Sequence, residues 1–287
     1  MHIGAVLPHN EIGTDPGAIK AYLQGVEEMG MTHLLIYDHV MGADPNRPGG
    51  YKGAYDKDTA FHEPFAFFGF AAAVTSTIEL VTTVLILPQR QTVLVAKQAA
   101  EIALLSNNRL RLGVGTGWNK IEYQALNEEF TNRGRRQEEQ IEVMRMLWAN
   151  DAFSYEGSYH SIDRASINPR PTQPVPIWFG GSAPVLLDRC ARLGDGWMPL
   201  GGANDKSKAL LDEIKAKRES YGRSMDGFGV QSQAQWAGGS PERWKSHFDK
   251  WEEIGATHMA IATHNGGPTD VEGHLARIAQ YVAAVRG

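Results

Sequence analysis

Cysteine is almost missing from this 287-residue chain: Cys190 stands alone. An intramolecular disulfide is therefore excluded, which fits a reducing compartment and makes a cytoplasmic location the expectation. Basic runs are also scarce. The densest is Arg133-Gly134-Arg135-Arg136, within a net charge of −5, so a phosphate-backbone footprint and a nucleic-acid partner are not expected. Long apolar runs are lacking. The longest, "LVTTVLILP" at 80–88, falls well short of the roughly 20 residues of a spanning helix, so no membrane partner is expected. The first residues, "MHIGAVLPHNEIG", have neither the basic start nor the apolar stretch of a secretory leader.

Several catalytic signatures are absent too. None of the ten histidines forms an H-x-x-x-H or H-E-x-x-H pair, and no metal site is expected. No G-x-S-x-G elbow supports a serine hydrolase. "GVGTG" at 113–117 is neither the G-x-G-x-x-G of a dinucleotide fold nor a P-loop, which needs a following Lys-Ser/Thr. Cys190, inside the amphipathic "VLLDRCARLG", reads as a buried small apolar residue.

What remains is an alternation of short apolar strands and longer helical patterns. Strands are predicted at Ile3–Leu7, Leu34–Tyr37, Glu79–Leu85, Leu110–Gly115, Ile177–Phe179, Gly196–Pro199, Phe228–Gln233 and His258–Ala262. Most read as continuous apolar runs, the pattern of strands covered on both faces in a parallel sheet. Helical spacing marks Leu94–Ser106 and Arg136–Trp148, the second with Ile141, Met144, Leu147 and Trp148 on one side. Eight strands with helices between them predict an α/β fold, a (β/α)8 TIM barrel with insertion loops at its C-terminal face, as one domain over 1–287. A repeated unit supports this over an open doubly wound sheet. "EEMGMTHLLIYDH" (27–39) and "EEIGATHMAIATH" (252–264) share one frame, and "ARLGDGWMPL" (191–200) echoes its middle. In each, a helix is expected to end at a glycine (Gly30, Gly194 or Gly255) in the left-handed conformation. Two stretches are too long for routine connections. Residues 41–62, rich in Gly, Pro and Asp but carrying Tyr51, Tyr55 and Phe61, read as a lid. Residues 151–176 read as an excursion, with Phe153, Tyr155 and Tyr159 spaced for a hairpin.

In a parallel barrel the C-terminal strand ends build the active site. There, Asp38-His39 pairs an acid with a side chain that titrates near neutrality; an ordinary polar strand end is the competing reading. "FGGS" at 179–182, before a helix, offers free amides and a hydroxyl to an anionic group, although Ser182 as a plain helix cap explains it equally. The glycines of "GVGTG" suit either crowding at a barrel mouth or a flat ligand. Trp118, Trp178 and Trp197 lie at strand ends, as core residues by default or as walls for a flat cofactor.

Taken together, these strand ends resemble the bacterial luciferase-like superfamily, and within it the branch of actinobacterial oxidoreductases that use coenzyme F420. The matching stretches are "YDHVMGADP", "FHEPFAFFGFAAAVT", "TTVLILPQRQTVLVAKQAAEIALLSNNRLRLGVGTGWNKIEYQAL", "NRGRRQEEQIEVMRMLW", "PVPIWFGGSAPVLLDRCARLGDGWMP" and "HLARIAQYV". The resemblance implies a deazaflavin, or alternatively FMN, across the barrel mouth. It places Asp38 and His39 beside the ring, with His39 as proton donor or acceptor at the substrate and Asp38 positioning the ring. It implies a non-prolyl cis bond at Thr83-Val84 behind the ring, and Gly115, Thr116 and Gly117 along its edge. Gly180, Gly181 and Ser182 would hold the polyol or phosphate, with Met198, Pro199 and Gly201 nearby. Hydride transfer to or from a small organic substrate is the implied activity. A reduced-FMN monooxygenase and a non-catalytic flavin-binding relative are the alternatives. Trp118 stands where the superfamily's sugar-phosphate dehydrogenases carry glutamate, so a sugar phosphate is not the expected substrate. Arg133, Arg135 and Arg136 are candidate phosphate anchors. The superfamily often forms homodimers, and Glu63–Val74 is the candidate contact surface.

Overall fold

The apolar runs close into a cylinder because each strand is buried on both faces and so needs neighbours on both edges. A computed structural model, describing residues 1–287, shows eight parallel strands in a closed ring. In ring order they are β1 (His2–Val6), β2 (His33–Ile36), β3 (Glu79–Ile86), β4 (Leu110–Gly115), β7 (Ile177–Gly180), β8 (Gly196–Met198), β9 (Gly229–Gln235) and β10 (His258–Ala262), which pairs back onto β1. Every predicted strand is present, with ends that differ by a residue or two. The helices pack outside: α1 (Pro16–Glu28), α2 (Pro64–Val74), α3 (Thr92–Leu105), α4 (Lys120–Ala125), α5 (Arg133–Ala149), α6 (Pro184–Leu193), α7 (Asp205–Ser220), α8 (Pro241–Ile254) and α9 (Val271–Arg286). The fold is the predicted (β/α)8 barrel. Its connection between β4 and β7 includes the expected hairpin, β5 (Phe153–Glu156) with antiparallel β6 (Ser161–Ala165), outside the ring. The hairpin is tied to α5 by Tyr155 on Glu142 (3.1 Å) and His160 on Glu139 (2.8 Å).

The helix starts follow local chemistry. Asp15, Glu63, Asn204, Ser240 and Asp270 each accept a first-turn amide with their side chains, which satisfies donors the helix itself leaves free. The ends repeat as the sequence frame implies at two of three places. Gly30 (φ 73°) and Gly255 (φ 108°) are left-handed. Gly194 is not: its φ is −82°. It is glycine because a Cβ there would sit 2.7 Å from the Cys190 carbonyl and 3.0 Å from the Phe179 ring. Close approach, not backbone handedness, selects the residue.

Two cores result. The larger lies between ring and helices and includes Leu23, Phe68, Ile141, Met144 and Trp251. The smaller fills the upper barrel with Val6, Leu35, Val81, Trp178, Met198 and Ala260. Below Trp178 the filling turns polar. Arg111 is 2% exposed, lies 3.9 Å from the Trp178 ring and pairs with Glu79 at 2.6 Å. Trp178 points into the ring, where Gly196 and Gly229 leave the space its indole occupies. Trp197 is fully buried and donates to the Gly181 carbonyl at 2.7 Å. Both are core residues, and only Trp118 stands at the mouth, 47% exposed. Cys190 is buried as read, and burial pushes its thiol up to about 12. No helix is long and apolar enough to cross a membrane.

Candidate functional site

The C-terminal strand ends surround one cavity of about 1110 Å³. Of the residues singled out from the sequence, Asp38, His39, Thr83, Val84, Gly115, Thr116, Gly117, Gly180, Gly181, Ser182, Met198, Pro199 and Gly201 border it. Arg133, Arg135 and Arg136 do not. Arg133 lies over the Phe130 ring at 3.7 Å, and Arg136 pairs with Glu128 at 2.7 Å and donates to the Pro88 carbonyl.

The back wall is made at β3. The Thr83–Val84 peptide is cis, and the register against β4 shifts between Thr82 and Leu85. Val84 borders the mouth here. Its methyl groups occupy the space that a Cβ on Gly115 or Gly180 would need. Those two glycines are thus required by a neighbouring side chain. Gly117 differs: its φ of 65° favours glycine by backbone conformation. Beneath this wall Gln233 bridges two strands. It accepts from the Tyr37 hydroxyl at 2.9 Å and donates to Thr83 Oγ1 at 3.3 Å. Burial, with Tyr55 nearby, pushes the Tyr37 phenol well above its usual value, so it stays a donor at neutral pH.

The β2 end carries Asp38 and His39 in different environments. Asp38 is 3% exposed. One of its oxygens accepts from the Ile86 amide at 2.9 Å, the other from Arg90 Nη2 at 2.8 Å, while Arg90 also reaches Glu63 at 2.7 Å. Asp38 therefore fastens β2 to the end of β3. His39 turns the other way. Its Nδ1 lies 3.2 and 3.3 Å from the two oxygens of Glu122. Its ring is enclosed by Tyr55 (4.9 Å), Phe61 (4.8 Å) and Trp118 (6.0 Å). Glu122 Oε1 also accepts from the Val40 amide at 2.9 Å. Burial pushes the Glu122 carboxyl up, but His39 and the amides of Val40 and Met41 outweigh it and hold the group below its usual value.

Three residues that organise the site escaped the sequence reading: Glu122, Arg90 and Gln233. The signal at Glu122 was misleading. Asn119-Lys120-Ile121-Glu122 has the form of a capping box, which would turn the glutamate back onto its own helix. Asn119 does cap, accepting from Ile121, but Glu122 crosses to β2. The 41–62 segment covers this side. Tyr55 lines the cavity, and Ala43 bridges Asp56 across the loop's base.

The opposite wall comes from β7 and β8. Ser182 does not cap α6. Its Oγ accepts from the Leu200 amide at 3.4 Å, and no side chain caps the helix at Ala183. The start of α6 therefore faces the cavity beside Gly181 and Ser182 with its partial positive charge unanswered by a side chain. Flat apolar surface at Val84, bare backbone at Gly201 and Gly202, and an uncapped helix start fit a planar ring carrying an anionic tail.

The family model described as luciferase-like monooxygenase matches residues 1–264. An uncharacterised protein of Mycobacterium tuberculosis is 38% identical over 225 residues, 75% of this chain and 77% of its own length. An F420-dependent glucose-6-phosphate dehydrogenase of Amycolatopsis mediterranei is 32% identical over 225 residues, 74% of this chain and 62% of that protein. An FMNH(2)-dependent dimethylsulfone monooxygenase of Pseudomonas fluorescens is 35% identical over 167 residues, 57% of this chain and 46% of that protein. Among solved structures, an F420-dependent secondary alcohol dehydrogenase in complex with an F420-acetone adduct superposes with a TM-score of 0.81 at 18% identity, covering 99% of each chain. At that identity the likeness is one of fold.

Proposed function

The chain belongs to the luciferase-like monooxygenase family and is an oxidoreductase, and from that premise we propose that it is F420-dependent, moving a hydride between the deazaflavin and a small organic substrate. The observation that carries the reading is His39, which borders the mouth cavity with Nδ1 held by Glu122 and Nε2 without a protein partner. Bound F420 would supply the hydride chemistry. Val84, Gly115, Gly117 and Gly201 would hold the ring, and Gly181, Ser182 and the start of α6 its anionic tail. His39 Nε2 takes the hydroxyl proton of an alcohol as its carbon loses hydride, or returns that proton to the oxygen in the reverse direction. The 41–62 loop excludes water over the reacting atoms. Asp38 acts through the backbone, holding the end of β3 by its bond to Ile86.

The dehydrogenase relative spans more of this chain than the dimethylsulfone monooxygenase does, which supports F420 over FMN. The higher identity of the monooxygenase segment, 35%, keeps a reduced-FMN monooxygenase as the second reading. Titration of the purified protein with F420 and with reduced FMN separates them. Tighter F420 binding is expected, and tighter FMN binding overturns the proposal. A flavin-binding relative without catalysis would bind F420 yet turn over nothing in a panel of alcohols and ketones. We also propose a homodimer through the outer faces of α2 and α3, where Phe70 and Leu94 are 37% and 51% exposed. A monomeric mass by light scattering would exclude it.

A further inference from the structure

Glu122 lies in no sequence motif that marks it as functional, yet its side chain is 1% exposed and receives donors from three sources. His39 Nδ1 approaches both oxygens, the Val40 and Met41 amides approach Oε1 at 2.9 and 3.4 Å, and Gln89 Nε2 approaches Oε2 at 3.5 Å. We propose that Glu122 is the positioning residue that fixes the tautomer of His39 and, with the same carboxylate, the backbone where the 41–62 loop begins. The inference rests on the reading above, in which His39 moves a proton at Nε2.

An ionised carboxylate only accepts hydrogen bonds. A neutral His39 must therefore carry its hydrogen on Nδ1, which leaves the Nε2 lone pair toward the cavity. When Nε2 takes a proton from a substrate hydroxyl, the resulting imidazolium faces Glu122 directly, and no proton needs to pass to the carboxylate. The other charged or titratable groups around this pair are committed elsewhere or neutral. Arg90 is shared between Asp38 and Glu63. His9 lies beyond Phe61, stacked on it at 4.4 Å, and burial pushes it down to about 4. The Tyr51 and Tyr55 phenols are raised, chiefly by burial. Phe61, Tyr55 and Trp118 confine the ring plane, so the tautomer is set at Nδ1.

The Val40 and Met41 bonds join this geometry to the loop. The backbone that leaves β2 is held by the oxygen that His39 also approaches, so moving the loop's first residues moves the partner of the imidazole. A carboxylate serves both sets of donors at once. An amide does not. In Glu122→Gln, a side chain that keeps its carbonyl on the Val40 amide places its NH₂ in the Oε2 position, the one nearer to His39 Nδ1, where two donors oppose each other and a lone pair on Nδ1 is favoured.

The test is nitrogen-15 NMR of the His39 ring in the cofactor-free protein, with hydrogen exchange at Val40 and Met41. The unaltered protein should show the Nδ1–H tautomer. In Glu122→Gln the tautomer ratio should invert by about tenfold or more while the Val40 and Met41 amides stay protected. In Glu122→Ala both amides should exchange faster. An unchanged tautomer in Glu122→Gln overturns the positioning role, and unchanged exchange in Glu122→Ala overturns the loop role. Titrating the same samples with F420 keeps the two readings apart. Failure of the unaltered protein to bind F420 removes the proposed function and leaves the tautomer result standing. Normal F420 affinity in Glu122→Gln, with turnover of alcohols reduced about 10²-fold, supports both.

Discussion

The ends of β2 and β10 descend from the same sequence frame and finish differently. Both helices before them stop at a left-handed glycine, Gly30 and Gly255. Both strands are entered through a threonine that bonds back to the preceding strand: Thr32 to the Ile3 carbonyl at 3.1 Å, Thr257 to the Val230 carbonyl at 3.2 Å. Each threonine also meets the next histidine's Nδ1, at 2.8 Å on His33 and 2.7 Å on His258. Even the leading glutamates correspond, Glu27 accepting the amides that lead into β3 and Glu252 the amino group that leads into β1. The exits diverge. Asp38 clamps Ile86 and Arg90, and His39 borders the cavity with Glu122 behind it. Thr263 bonds His274 at 2.8 Å, and His264 lies between Tyr37 and His9, outside the cavity lining. The shared frame builds barrel; two substitutions at its end, and what packs behind them, make one copy a candidate site.

The contrast is tested most severely by removing each terminal histidine. His39→Ala should lower turnover of F420-linked alcohols or ketones by about 10²- to 10⁴-fold, with F420 affinity falling less than about tenfold. His264→Ala should leave turnover near that of the unaltered protein. Equal losses would erase the distinction between the two ends. Next comes the preceding position. Asp38→Ala leaves the buried Ile86 amide without a partner and Arg90 with Glu63 alone, and should cost about 2 kcal/mol in urea unfolding, against about 1 kcal/mol for Thr263→Val.

A pH series sharpens the comparison further. Burial, then neighbouring cations, push His9 and His274, which pack around the β10 end, each down to about 4. Unfolded, both would bind protons near pH ~6.5. Between those values the unfolded chain holds more protons than the folded one. Stability should therefore be fully present above about pH 6.5 and fall as pH drops toward 4, by up to about 1.4 kcal/mol per unit for each group. Urea midpoints at pH 7, 6 and 5 measure this, and His9→Gln should flatten the decline. The smallest expected difference lies in the shared part. Thr32→Val and Thr257→Val should each cost about 1 kcal/mol, with Thr257 the larger because it also accepts from the Val230 amide. A large disparity would mean that the two frames are not structurally equivalent.

Much of this molecule was determined by sequence alone. Continuous apolar runs, punctuated by caps and turn glycines, specify strands buried on both faces, and eight of these close a barrel. The fold puts every strand end on one rim, so the ends of β2, β3, β4, β7 and β8 supply cavity residues legible in sequence, while the lining from β9, including Gln233, is not. The tertiary structure decided what sequence spacing does not contain. Glu122 reaches His39 across 83 positions of chain, and Arg90 reaches Asp38 across 52. Gly115 and Gly180 are glycine because Val84 takes their space, and Gly194 because a carbonyl passes beside it. Local spacing left crowding and a flat ligand both open at Gly115 and suggested a left-handed cap at Gly194. The physical reason is the same in each case: the partner that fixes the residue's role is remote in sequence and arrives only when the ring closes.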